Sequence, residues 1–353
     1  LASAADLAGN LERIGAPVDS LLEDKERQAE LIRQAEKLEG EAGEMPPGTA
    51  LAAAYLALSA EQPEAADRFF EKALAALDAE RSDLLVNWGL QQFLADRSES
   101  AVAAFQRVID EKLLPDREHV VSFYLAGALE MSGRTEEALA AARKAVEGSP
   151  ENPQMAGRIP WILYHAKRYE EAEKAYRELL AKLDTQHQSP DARETARETK
   201  LILSNLCVLT DRLPEAEEWL EQVLDEYPAD IHAKNDLGYL WADQNKRLNR
   251  SLRMITAALE AEPENMAYRD SMGWVLYRLG RFEDAVTELE LAAEDEDADG
   301  VILDHLADAC WAAGQKDRAR ELWRKAIEKL EEKKDEKHLQ KVREKLEKNS
   351  AAE

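Results

Sequence analysis

The sequence is poor in the residues that staple, break or flatten a chain. Its two cysteines, Cys207 and Cys310, are too few for a disulfide framework. Twelve prolines and 15 glycines in 353 residues leave long stretches with nothing to interrupt a helix. Aromatic residues make up 6%, and runs of Val, Ile, Thr and aromatics alternating with polar residues are missing, so no sheet is expected. No stretch approaches the roughly 18–20 consecutive apolar residues of a spanning helix, so this segment is not expected to insert into a membrane. The chain opens at Leu1 with no initiator Met and no charged-then-apolar leader, and reads as a processed or trimmed piece of something longer.

Positive charge is also scarce. Against 72 Asp and Glu stand 46 Lys and Arg, a net charge of −26. A surface that negative repels phosphate, which argues against nucleic acid and against adhesion to anionic lipid. It suits a basic partner, but the solubility of a large helical surface is the favoured explanation, since net charge speaks to solubility more than to partner choice.

Catalytic motifs are missing as well. The six histidines, His119, His165, His187, His232, His305 and His338, form no His-Glu-x-x-His arrangement. There is no Gly-x-Ser-x-Gly elbow, phosphate-binding loop or dinucleotide fingerprint. With no nucleophile or acid–base pair nominated, the chain is expected to be no enzyme and to need no cofactor.

What is present is Ala, Leu, Glu, Lys and Arg, the composition of an all-α protein, and a period. Met272-Gly273-Trp274-Val275-Leu276-Tyr277-Arg278-Leu279-Gly280-Arg281 aligns with Leu306-Ala307-Asp308-Ala309-Cys310-Trp311-Ala312-Ala313-Gly314-Gln315 at an offset of 34. Moving toward the N-terminus, the small position of Gly273 falls on Gly238, Ser204, Pro160, Ala126, Gly89 and Ala54. A second small position, twelve residues later, holds Ala66, Ala101, Ala138, Ala172, Ala216, Ser251, Ala285 and Ala319. A third, looser one holds Ala73, Val108, Ala145, Leu179, Val223, Ala258, Ala292 and Ala326. Where two helices cross, a side chain larger than Ala holds the backbones apart, so small residues at fixed spacing mark the crossings. Phe70, Phe105, Tyr176, Leu289 and Trp323 fill the space beside them.

A period of 34 with these small positions resembles the tetratricopeptide repeat. The resemblance implies an α-α superhelical solenoid of about eight helix pairs closed by a C-terminal capping helix. Residues 1–46 are an N-terminal helical segment, either a cap or a degenerate repeat, with Asp19 or Ser20 as N-cap before Leu21, Leu22, Leu31, Ile32 and Leu38. Repeats 1–4 span 47–183, an inserted loop 184–196, and repeats 5–8 span 197–333. Residues 334–353 form the cap and tail, with Leu339, Val342 and Leu346 as its apolar stripe. This register places the two cysteines three repeats apart, too far for a disulfide. Pro160, inside a first helix, is expected to bend it.

One local pattern could hold a metal. Asp295, Asp297 and Asp299 alternate ahead of Gly300 and Ile302 like the front half of a calcium loop. The twelfth position, where a bidentate Glu belongs, is Leu306. The alternative is a solvated acidic turn whose Asp caps the next helix, and the missing ligand favours it.

In the family the resemblance points to, first helices line a concave groove in which partners bind. Carried over by position, the groove face holds Tyr55, Phe93, Phe123, Arg158, Trp161, Tyr164 and His165, then Asn205, Asn235 and Tyr239. The last repeats add Asp270, Trp274, Tyr277, Arg278, Asp304, Asp308 and Trp311. Trp, Tyr and Arg dominate interface hot spots, so Arg158, Trp161, Tyr164, Asn205, Asn235, Tyr239, Asp270, Trp274, Tyr277, Arg278 and Trp311 are the candidate partner-binding set. The family's carboxylate clamp is not expected, because Leu201 stands where it needs Lys and the following repeat offers Asp236. The closing repeats are similar to those of bacterial envelope-associated scaffolds and adaptors, which implies an envelope setting. The expected function is a scaffold or adaptor for another protein or peptide. The alternative is a structural subunit that works through its convex face or self-associates, with calcium as a modulator of either.

Overall fold

The computed structural model describes residues 24–41, 45–77, 80–186, 189–294 and 298–350. The described residues form eighteen α-helices and no strand. The chain divides into two compact units, 1–195 and 196–353.

In the first unit, helix α1 (Lys25–Glu41) precedes four helix pairs. These are α2 (Pro47–Ser59) with α3 (Pro63–Ala76), and α4 (Arg81–Leu94) with α5 (Ser98–Asp110). They are followed by α6 (Glu118–Met131) with α7 (Thr135–Gly148), and α8 (Pro153–His165) with α9 (Tyr169–Leu183). Helix α1 is buried along one side only, at Ile32 and Ala35, while Leu31 and Leu38 face out. Asp19, Ser20, Leu21 and Leu22 lie outside the described residues.

The next helix, α10 (Pro190–Leu209), carries the division between the units and pairs with α11 (Leu213–Glu226). Three more pairs follow: α12 (Ile231–Asp243) with α13 (Leu248–Ala261), α14 (Met266–Arg278) with α15 (Phe282–Ala292), and α16 (Gly300–Ala312) with α17 (Lys316–Lys333). Helix α18 (Glu336–Ser350) closes the second unit, with Leu339 and Val342 buried against the last pair.

The stretch expected as a loop, 184–196, is helical from Pro190 onward. The local chemistry explains it. Ser189 Oγ accepts a hydrogen bond from Ala192 N at 3.3 Å, and Pro190 takes the first helical position, where its missing donor costs nothing. Ala, Arg and Glu then carry the helix forward.

The small positions are crossings. All eight residues from Ala66 to Ala319 at the second small position have no solvent exposure. At the first, a Cβ on Gly89 would stand 2.6 Å from the Phe105 ring, and one on Gly238 2.9 Å from Ile255. Where that position is Ser204, its hydroxyl donates to Ala216 O at 3.0 Å, so the polar atom is satisfied in place. Helix α8 continues through Pro160, which is buried at the same crossing.

Every pair turns in the same way. The residue at the tip is left-handed: Glu61, Asp96, Gly133, Lys167, Asp211, Asn245, Gly280 and Gly314. The following N–H then closes back on the first helix, as in Arg134 N to Leu129 O at 2.9 Å and Gln315 N to Cys310 O at 2.9 Å. This is the Schellman ending, which satisfies carbonyls the helix leaves open. Glycine fits it without strain and Asn or Asp with little, whereas a residue such as Glu or Lys loses about 1–2 kcal/mol. Lys167→Gly should therefore raise stability by about 0.5–1 kcal/mol after the greater unfolded-state freedom of Gly is subtracted. A urea midpoint that falls would show that Lys167 contributes a contact worth more than its strain.

Arginines tie neighbouring pairs of the first unit along the edge that carries these turns. Arg97 meets Asp67 at 2.8 Å, Arg134 meets Glu99 at 3.6 Å and Arg168 meets Glu136 at 2.8 Å. Exposed pairs of this kind contribute at most about 1 kcal/mol each.

Candidate binding surface on the first helices

The side chains nominated from the sequence sit on the first helices, and their surroundings divide them. In the first unit, Arg158, Trp161 and Tyr164 follow one another along α8, all half-buried. Helix α8 is started by Asn152, whose Oδ1 accepts from Gln154 N at 2.9 Å and Met155 N at 3.2 Å. The Arg158 guanidinium lies over the Phe123 ring of α6, 3.6 Å from its centroid, and 4.9 Å from Trp161. Trp161 packs against His165 with centroids 4.1 Å apart. Burial pulls Arg158 down to about 10, and burial together with the Arg158 charge holds His165 below its usual range.

In the second unit, Asn205 is exposed, Asn235 and Asp270 are buried, and Tyr239, Tyr277, Arg278 and Trp311 are half-buried. Trp274 is 6% exposed and belongs to the apolar core, so it is a packing residue as much as a surface one. Its ring stacks on His305 at 4.2 Å and on Tyr277 at 5.0 Å. His305 Nδ1 lies 2.8 Å from the Asp270 carboxylate. Burial alone would lower His305, but Asp270, then Asp304 and Asp308, outweigh it, and the imidazole is held above its ordinary value. Tyr239 is pushed up by burial and by the nearby carboxylates of Asp243, Asp270 and Asp304. Trp311 packs against Trp323 of α17 at 5.6 Å.

Sequence reasoning missed the part played by the cap. Lys345 of α18 reaches both Asp304, at 2.7 Å, and Asp308, at 2.8 Å. Two of the carboxylates assigned to the groove face are therefore already paired within the chain. Earlier on the same helix, Lys337 meets Asp211 at 2.9 Å. The apolar stripe of the cap was readable from spacing, but the carboxylates its lysines meet were not.

Some polar atoms of these side chains are buried and unpartnered. They include Arg158 Nε, Asn235 Oδ1 and Trp274 Nε1, all on first helices. Such atoms cost free energy in a folded protein and call for a reason. Asn235 Nδ2 donates to Asp236 at 3.1 Å, which leaves its carbonyl oxygen as the open group.

Among the described residues no cluster of His, Cys, Asp or Glu could hold a metal ion. Asp299 instead caps α16, accepting from Val301 N at 2.8 Å, and pairs with Lys333 at 2.7 Å. Asp295 and Asp297 lie outside the described residues. Cys207 and Cys310 are both buried. No described helix is long and apolar enough to cross a membrane.

Models of the tetratricopeptide repeat match residues 88–153, 129–193, 236–301 and 301–325, together more than half of the chain. A tetratricopeptide repeat-containing protein of Pseudomonas aeruginosa is 35% identical over 82 residues. That match takes in 23% of this chain and 14% of the relative, so the chain spans only about a seventh of that protein. A solved tetratricopeptide repeat protein from Parabacteroides merdae superposes with a TM-score of 0.54 at 15% identity, covering 74% of this chain and 98% of its own. A monomeric mutant of IFIT1, solved with Gppp-AAAA, gives 0.51 at 15% identity, covering 86% of this chain and 75% of its own. At such identities the likeness is one of fold. The repeats seen in the sequence, the recurring turn and the family matches agree: the chain belongs to the tetratricopeptide repeat family.

Proposed function

We propose that this chain is a non-catalytic scaffold that holds a segment of another protein against the first helices of its repeats. The observation that carries this reading is the row of half-buried aromatic side chains on those helices, Trp161 and Tyr164 in the first unit and Tyr239, Tyr277 and Trp311 in the second. A bound peptide covers these rings and excludes water from them, which is how hot spots form. A net charge of −26 argues against nucleic acid as the partner. Asn205, Asn235, Tyr239, Asp270, Trp274, Tyr277, Arg278 and Trp311 provide the contacts in the second unit, and Arg158, Trp161 and Tyr164 those in the first.

The test separates helix faces. Partners cross-linked to the wild-type chain are identified by mass spectrometry. Capture is then compared between Asn205→Ala with Asp236→Ala and Arg278→Ala, on first helices, and Glu218→Ala with Arg253→Ala, on second helices. The first set should lose capture about tenfold or more at unchanged helicity, given hot-spot costs above about 1 kcal/mol per residue, and the second should keep it. The reverse pattern would place the binding face on the second helices and make the chain a structural subunit.

A further inference from the structure

Arg158 is out of keeping with the chain that contains it. Acidic residues outnumber basic ones by 72 to 46, so carboxylates are plentiful. Several of its neighbours in the first unit use them, and Arg117 and Arg143, which do not, are exposed. Arg81 meets Glu111 at 2.7 Å, Arg97 meets Asp67 at 2.8 Å, and Arg168 meets both Glu136, at 2.8 Å, and Glu171, at 2.7 Å. Arg158 meets none of them. Its Nε is shut off from solvent with no partner, and the titratable groups that feel its charge are the phenols of Tyr124 and Tyr176 and the imidazole of His165, none of them an anion near neutral pH.

We propose that Arg158 is the receptor for one acidic side chain of the bound segment, an Asp or Glu carboxylate that docks on the guanidinium between Phe123, Trp161 and Gly127. The inference rests on the reading that first helices hold a protein segment.

The geometry is that of a prepared site. The Phe123 ring, 3.6 Å away, covers a face of the guanidinium, and Trp161 stands at 4.9 Å. Stacking orients the planar group and leaves its N–H fork, which lies in the plane, for a carboxylate. Gly127 of α6 makes the room: a Cβ there would lie 3.3 Å from Nη1. The charge also selects. Burial and the Arg158 charge both disfavour protonation of His165, so near neutral pH the site carries a single positive charge. That matches a carboxylate, whereas a phosphate, at about −1.5 to −2, would remain largely uncompensated in a chain of net charge −26. The rings around the guanidinium favour apolar residues beside the acidic one. They also exclude water, which strengthens the ion pair.

A random-peptide display library panned on the full chain tests this. Wild type should enrich Asp or Glu at one fixed position next to apolar residues, and Arg158→Met should lose that preference. A selected peptide should bind about 10–100-fold more weakly to Arg158→Met, the range expected for a charged hydrogen-bonded pair. Changing the peptide's Glu to Gln should cost a similar factor on wild type and little more on Arg158→Met. Arg158→Lys, which keeps the charge without the fork, should fall between. Arg158→Met should also melt no lower than wild type, because it removes a half-buried charge that nothing in the chain pairs. Acid enrichment that survives in Arg158→Met overturns the proposal. So does a melting loss of the size of a core truncation, which would make Arg158 structural. Inorganic phosphate that displaces the peptide better than acetate overturns the choice of a carboxylate. If no enriched peptide depends on any first-helix residue, the scaffold reading itself fails, an outcome distinct from the other three.

Discussion

Trp241→Ala is expected to destabilise the second unit by about 3–5 kcal/mol, the cost of truncating a fully buried large aromatic. Trp241 has no exposed surface and sits among Cys207, Ala216, Leu220, Val223, Leu237 and Leu240, where two helix pairs meet. Its indole N–H donates to Glu217 at 3.0 Å, and Arg247 and Arg250 lie over the ring at 4.6 and 4.9 Å. The Glu217 carboxylate also accepts from Gln244 at 2.9 Å and Lys246 at 3.2 Å, so it is not orphaned when the indole goes. Most of the loss therefore comes from the cavity and the buried area. Trp241→Phe separates these terms. It keeps most of the apolar surface and should cost about 1.5–3 kcal/mol, the value of a hydrogen bond to a charged group. Stability in a repeat array is a sum of local and nearest-neighbour terms, so unfolding of the alanine variant should begin in this region. Hydrogen exchange resolves it. Uniform loss of protection across both units would contradict the nearest-neighbour picture.

The second large effect concerns Gly273. A Cβ at this position would stand 2.3 Å from Leu289 Cγ and 2.9 Å from Cδ2, so Gly273→Val should cost about 1–3 kcal/mol through overpacking, and somewhat more through its β-branch in a helix. Gly→Ala in a helix otherwise gains about 1 kcal/mol of propensity, so Gly273→Ala sets that gain against the clash. The internal control is Gly157 in the first unit, where a Cβ would meet only Leu179 Cδ2 at 3.9 Å. Gly157→Ala should raise the urea midpoint while both Gly273 variants lower it. Equal responses would mean that helix propensity, and not the crossing distance, decides these positions.

The architecture was legible because it is dictated by spacing. A crossing tolerates only a small residue, the crossing recurs with each pair, and so Ala66 to Ala319 can be aligned by eye. The helical start at Pro190 was not read, because register alone marked the stretch as surplus and the Ser189-Pro190 signal was passed over. On the candidate surface, positions were legible and partners were not. Helical periodicity places Trp274 and Arg158 on the first helices. Whether each is buried, stacked or paired depends on residues a repeat or more away in sequence. His305 lies 35 positions from the Asp270 it bonds, and Lys345 lies 41 from Asp304. Such contacts leave no periodic trace.

The recurring turn within each pair has a consequence for how such a chain can change length. Its backbone is fixed by one left-handed residue and the bond that closes over it, and the connection spans only residues 60–62, 95–97, 132–134, 166–168, 210–212, 279–281 and 313–315, with one longer case at 244–247. Connections between pairs obey no such rule: they run from 77–80 to 111–117, 184–189 and 293–299. Within each unit one edge is a row of short hairpin bends of one kind, lengthened by a single residue at 244–247, and the opposite edge is where most of the extra chain has been accommodated. A tag, a loop graft or an inserted domain therefore belongs on that second edge, because the first has no slack to give.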